Sequence, residues 1–193
     1  PRGIHNHFPA WRNYMEYGGG MVTDWGAHHI DIAQWGLGTD NSGPVKARPP
    51  EDWKKWKSKR GAKLVYSNGT TITHQSGFGV HFEGEDGDVK VNRGRFVFSL
   101  KGKEIAKFEK RGDGSLGSAL QTAEKTFLNN AKVKLYKSTH HIRDFLSSVE
   151  SRKKPITNEV VGGRSAICCH LMNQTYYNGE VTKWDPKTNT LSE

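Results

Sequence analysis

The chain has 193 residues, a formal charge of +9 and 34% apolar residues, with six Trp, six Tyr and eight Phe. That length suits one domain whose core can fold without disulfides or metals. No apolar stretch approaches the roughly 20 residues of a membrane helix, no leader peptide is visible, and the only cysteines, Cys168 and Cys169, are adjacent and give no disulfide framework.

Residues 1–22 read as an irregular opening segment, rich in His and aromatics and broken by Gly18-Gly19-Gly20. From about Thr23 to Leu37 the apolar spacing predicts a helix, with Thr23 or Asp24 as N-cap and Gly36 and Gly38 ending it. Residues 45–61 read as a polar excursion around Pro49-Pro50. Strands are expected over 63–66, 70–74, 79–82, 88–91, 95–100 and 103–108. Ser67-Asn68-Gly69 predicts a hairpin whose Asn and Gly both take positive φ. The short connections imply antiparallel neighbours.

Residues 109–137 carry a glycine-rich turn and a weaker helical stretch near 119–129. A helix over 138–151 places Ile142, Phe145, Leu146 and Val149 on one face. Pro155 resets the chain. A second helix runs over 158–177 with Gly179 as C-cap, and 179–193 is a tail. The order predicts an α+β fold: an open, largely antiparallel sheet with helices packed on one face, built by residues 1–193 as one domain.

The stretch GGGMVTDWGAHHID is the richest in chemistry. On a helix, Asp24 and His28 are four apart and share a face, with Asp31 a further turn along. A carboxylate beside an imidazole fixes its tautomer and supports its protonated form, which suits a general base. The glycines ahead of it would let a ligand approach the backbone. The same spacing also describes a plain helix start, with Asp24 as N-cap and His28 on the surface.

Other signals are weaker. Gly112-Asp113-Gly114-Ser115-Leu116-Gly117 matches a dinucleotide-binding pattern, but it follows the charged run KFEKR rather than a buried strand. It reads as a glycine loop. No set of His and Cys residues has zinc-ligand spacing, so no metal is expected. Trp53-Lys54-Lys55-Trp56-Lys57-Ser58-Lys59-Arg60 is the densest basic patch. Interleaved Trp and Lys could bind nucleic acid, but no nucleic-acid motif accompanies them, so no nucleic-acid partner is expected.

GGGMVTDWGAHHIDIAQWGLG resembles the C-terminal domain of the Gfo/Idh/MocA oxidoreductases, named for glucose–fructose oxidoreductase and inositol dehydrogenase. Asp24, His28 and Asp31 fall on the family's D-x-x-x-H-x-x-D pattern. Trp11-Arg12 precedes the glycines at the family's spacing. GFGVHFEGEDGDVKVNRGRF, HHIRDFLSSVESRKKPIT and RSAICCHLMNQTYYNGEVTKWDP resemble further ordered motifs of one bacterial branch. Residues 39–62 and 109–137 match poorly.

The resemblance implies a two-domain enzyme of which this chain is the substrate half, consistent with a start at Pro1. NAD or NADP would be bound mainly by a Rossmann domain outside these residues. The substrate would be a sugar, cyclitol or related carbohydrate, with His28 taking the hydroxyl proton as hydride leaves the same carbon. Asp24 would orient His28 or contact the sugar hydroxyls, and Asp31, Arg12, Trp11 and His7 would line the substrate site. A homo-oligomer formed through the sheet is implied, with no membrane partner; the compartment is cytoplasmic or periplasmic. Two alternatives share these residues: a glycosidase acting through transient sugar oxidation, and a non-catalytic carbohydrate-binding or dimerisation module.

Overall fold

The computed structural model describes residues 10–55, 57–128, 131, 133–134, 136 and 138–192. In chain order its elements are α1 (Met15–Gly18), α2 (Trp25–Gly36), β1 (Lys46–Arg48), β2 (Lys63–Val65), β3 (Thr71–Thr73), β4 (Val80–Glu83), β5 (Gly87–Asn92), β6 (Arg95–Leu100), β7 (Lys103–Phe108), α3 (Leu116–Ala123), α4 (His141–Ser151), α5 (Glu159–Asn178), β8 (Thr182–Asp185) and β9 (Thr190–Leu191). Helices and antiparallel strands give the expected α+β class. The strands form two sheets, however, and the chain divides into two units, Pro1–Ser76 with Thr157–Glu193, and Gly77–Ile156.

The first unit holds a sheet of order β3-β2-β1-β8-β9. Lys46–Arg48 of β1 pairs antiparallel with β2 on one side and β8 on the other. Helix α5 lies on this sheet and α2 packs on α5. Ala47, Leu64, Cys168 and Cys169 are fully buried between them, joined by Ile30, Tyr66, Met172 and Tyr176. Burying a side chain such as Leu64 is worth about 1.5–3 kcal/mol. Helix α5 is well terminated. Asn158 Oδ1 accepts from Val160 N at 3.0 Å, and Gly179 closes the far end at φ 69°.

The second unit is a meander, β4-β5-β6-β7, with α3 against β6 and β7. Ala119 and Ala123 of α3 meet Phe96 and Ala106 of the sheet. Small residues on the helix let it sit close to the large ones on the strands. Ser115 starts α3 by accepting from Ser118 N at 3.1 Å. The helix ends in a π turn over Glu124–Leu128.

Three expectations change. The Asn-Gly hairpin forms, but only Gly69 takes positive φ, at 88°. The turn closes Gly69 N onto Tyr66 O at 3.0 Å, and Asn68 Oδ1 accepts from Thr70 N at 3.0 Å. It is a right-handed turn followed by a left-handed glycine, a longer loop than the mirror-image type. The excursion over 45–61 contains β1, and the tail contains β8 and β9. On α4, Ile142, Phe145, Leu146 and Val149 share a face yet are exposed.

Candidate functional site

The opening segment is compact local structure. A 3₁₀ turn over Ala10–Asn13 leads to α1, and a second over Gly20–Val22 leads to α2. The glycine run makes both corners possible. Gly19 and Gly20 take φ 80° and 71°, where only glycine is unstrained. A Cβ on Gly19 would lie 2.5 Å from Thr23 Cγ2 and 3.1 Å from Asn173 Nδ2. One on Gly18 would lie 3.1 Å from the Trp11 ring. The glycines were expected to admit a ligand to the backbone; the space beside Gly18 and Gly19 is taken by the protein's own side chains instead.

Those contacts fix the segment. Buried Asn173 of α5 donates from Nδ2 to Gly19 O at 2.7 Å. The Thr23 hydroxyl is shared between the carbonyls of Gly18 and Gly20. Asp24 N then bonds Gly20 O at 3.1 Å, and α2 begins.

Asp24 occupies the N-cap position of α2, but its side chain makes no capping bond. Arg12 takes it instead. Nε donates to Oδ2 at 2.8 Å and a terminal guanidinium nitrogen donates to Oδ1 at 2.9 Å. Those hydrogen bonds hold the Asp24 carboxyl below its usual range, and His28 follows four residues along on α2. His28 itself is exposed. Its ring lies 6.0 Å, centre to centre, from that of Trp25. Trp25 and Trp11 are also exposed, at 41% and 51%. Arg12, Asp24 and His28 thus share a face that opens to solvent.

Asp31 is differently placed. Ser165 of α5 donates to its Oδ1 at 2.9 Å, tying α2 to α5. Its charge, after burial, helps raise the Asp40 carboxyl above its usual range. His7 lies outside the described residues. Sequence reasoning missed Ser165 and Asn173, which hold Asp31 and Gly19 from more than 130 positions away. No spacing signal reaches that far.

The dinucleotide-like stretch follows β7, an edge strand of an antiparallel sheet. Ser115 turns its hydroxyl to the start of α3, where Ser118 N donates to it. A dinucleotide turn instead follows a buried parallel strand and leaves its amides for phosphate. These residues do not build a cradle for NAD or NADP. Among the described residues, no group of three or more His, Cys, Asp or Glu is arranged around a common metal position, and no helix is long and apolar enough to cross a membrane.

No curated protein matches the chain. An oxidoreductase from Agrobacterium radiobacter, solved in complex with NAD+, L-tartaric acid and magnesium, is similar over 85% of this chain at 14% identity and a TM-score of 0.45. The match covers 49% of that protein, so this chain spans about half its length. The sequence profile of the oxidoreductase family, C-terminal alpha/beta domain, matches residues 1–193. The chain therefore belongs to the Gfo/Idh/MocA oxidoreductases, as their C-terminal alpha/beta domain.

Proposed function

We propose that this chain supplies the substrate side of an NAD(P)-dependent oxidoreductase acting on a hydroxyl of a sugar, cyclitol or related carbohydrate. One observation carries the reading: the Arg12–Asp24 pair is fixed one helical turn from an exposed histidine, His28. A base must be accessible to the hydroxyl proton, and its protonated form must be tolerated. Asp24, kept ionised by Arg12 and one turn before His28, is the group that would orient the His28 ring.

Asp24 and His28 are the catalytic pair in this reading. Arg12 holds Asp24. Trp11 and Trp25 offer aromatic surface on which the apolar face of a sugar ring can stack. Asp31 contributes the carboxylate oxygen that Ser165 leaves unengaged. His7 is assigned to the substrate side on the family pattern alone. The nicotinamide supplies hydride exchange when bound; its binding is assigned to a part of the protein outside these residues, since Gly112–Gly117 does not fit it. An open face excludes water poorly, so a second body closing over His28 belongs to the same proposal. So does pairing of copies through a sheet.

The test is absorbance at 340 nm on the intact protein, supplied with NAD or NADP and a panel of sugars, cyclitols and glycosides. Net growth with a sugar or cyclitol is expected. Glycoside cleavage without net growth would replace the dehydrogenase by transient-oxidation chemistry at the same residues. Silence in both, with the panel nonetheless bound, would reduce the chain to a binding module.

A further inference from the structure

A second region of the first unit gathers charge that the proposed reaction does not use. Between β1 and β2 the chain makes a long excursion. Lys54 O accepts from Lys57 N and Ser58 N, both at 3.0 Å, and Lys54 N donates to Ser58 Oγ at 2.7 Å. This closed turn brings Lys54 and Lys57 to one side. With Lys59, Arg60, Ser58 and Gln75 they line a cleft of about 500 Å³.

The excursion is anchored at both ends. Trp53 Nε1 donates to Tyr176 O at 2.9 Å, and its ring fills the space beside Gly179, where a Cβ would come within 2.6 Å. At the other end Gly61 N donates to His74 O at 2.7 Å, and Gly61 lies against Pro50, which a Cβ would approach to 3.1 Å. The cations are thus carried on a pinned loop.

Their charge is not balanced locally. The cleft wall carries four cations and one carboxylate, Asp52. None of the four cations is in an ion pair among the described residues. Nearby, Lys63 is the residue paired with Glu51, at 3.0 Å. The field of Arg60 is felt at His74, whose ring is pushed toward the neutral form first by burial and then by that charge. Like charges held this close repel, and an anion relieves the repulsion. Neutral donors are also present. Ser58 Oγ already accepts from Lys54 N, which leaves its own proton to give, and Gln75 offers an amide.

We propose that the cleft formed by Lys54, Lys57, Ser58, Lys59, Arg60 and Gln75 is a binding site for a phosphate-type oxyanion, either free or as an ester on a small molecule. Lysines act as point charges, and Arg60, one terminal nitrogen of which donates to Lys59 O at 2.7 Å, keeps Nε and its other terminal nitrogen as a planar fork suited to two phosphate oxygens. Single-stranded nucleic acid fits less well. It needs aromatic faces on which bases stack, and among the described residues of the loop the one Trp, Trp53, is turned inward, bonded to Tyr176.

The test is calorimetric titration of the chain with inorganic phosphate, with glucose 6-phosphate and with glucose, at about 0.15 M salt. Saturable binding of phosphate is expected; any binding of glucose belongs to the carbohydrate site at His28 and should be unchanged in the charge variants. Lys57→Gln/Arg60→Gln should weaken it by ~10-fold or more, while Lys187→Gln, away from the cleft, should not. Tighter binding of glucose 6-phosphate than of phosphate would identify an ester as the ligand, and equal binding the free anion; both support the site. Circular dichroism checks that each variant is folded, and Lys54→Gln/Lys59→Gln serves if the first pair is not. Absence of saturation with both anions, or equal affinity in a folded charge variant, would overturn the proposal. So would tighter, steeply salt-dependent binding of a single-stranded oligonucleotide, which would assign the cleft to nucleic acid.

Discussion

Arg12 grips Asp24 with two hydrogen bonds, Nε to Oδ2 at 2.8 Å and a terminal nitrogen to Oδ1 at 2.9 Å, across twelve positions of chain. The pair sits at the start of α2, one turn before His28, and converts a potential helix cap into a fixed charge.

Removing Arg12 should therefore change the carboxylate beside His28. Arg12→Gln frees Asp24, whose pKa rises toward the ordinary value of about 3.9. The sign follows from the lowered native value. The stabilisation is present above the ordinary carboxylate pKa and is lost as pH falls through the lowered one. It is small, because the pair is exposed. The effect on function is larger: kcat/KM of the intact protein should fall ~10-fold or more. Arg12→Lys should recover only part of it, since an ammonium cannot hold both oxygens in a planar fork. Carbon-13 NMR of the Asp24 carboxyl and steady-state kinetics check the two halves.

The glycine corner is a second, separate liability. Gly19→Ala places a Cβ 2.5 Å from Thr23 Cγ2 at a φ of 80°, and should cost ~1–3 kcal/mol. Asn173→Ala removes the bond to Gly19 O and leaves a half-buried carbonyl without that donor, at ~1–3 kcal/mol. Urea unfolding should show lower midpoints with unchanged slopes. A midpoint unmoved in both variants would mean that this corner is not anchored to α5.

His74 predicts an acid limb of stability. Its Nδ1 is hydrogen-bonded to the Tyr176 hydroxyl at 2.8 Å, and that oxygen accepts from Ala62 N. Burial first, then Arg60, pushes its pKa from 6.5 down to about 4. The unfolded chain thus takes up the proton first. This contribution is complete above pH 6.5 and declines as pH falls toward about 4. His74→Gln should flatten that segment of the stability curve, measured by urea unfolding across the range. An equal slope in the variant would place the acid sensitivity elsewhere.

The two thiols should be silent. Cys168 and Cys169 are fully buried in the α5–sheet core. Burial pushes their pKa values up to about 11 and about 12. Thiolate is the reactive form, and both access and ionisation are withheld. An aromatic disulfide reagent near neutral pH should label neither until the unit opens, with labelling that tracks unfolding in urea. A stoichiometric burst on the native protein would contradict the packing of α5.

The local patterns were legible in the sequence. The period of apolar residues marked α2, α4 and α5, and the caps Asn158 and Gly179 stand where the chain announces them. Strands β6 and β7 keep their expected bounds because each is six residues long with clear turns. Strand β1 was hidden: Lys-Ala-Arg buries only Ala47, so its pattern is charged. The split into two sheets is set by which strand finds which partner, and β1 pairs with β8 from the far end of the chain. At the site, the Asp24–His28 spacing was readable. The clasp of Arg12 on Asp24 and the tie of Ser165 to Asp31 are tertiary, and no period in the sequence encodes them. The exposed stripe on α4 shows the converse: an amphipathic pattern says that a face is apolar, not what covers it.

His28 carries the proposed proton transfer, and one measurement addresses it directly: the NAD(P)H formation rate of the intact protein against pH, for the natural chain and for His28→Ala, with the best carbohydrate of the panel. A general base contributes ~10²–10⁴-fold, so the variant should lose that much in kcat, together with the limb of the pH profile that reports the base. The Michaelis constant should change far less. A variant that keeps its rate within a few-fold, or loses rate without changing the shape of the profile, would contradict the assignment of His28 as the proton acceptor.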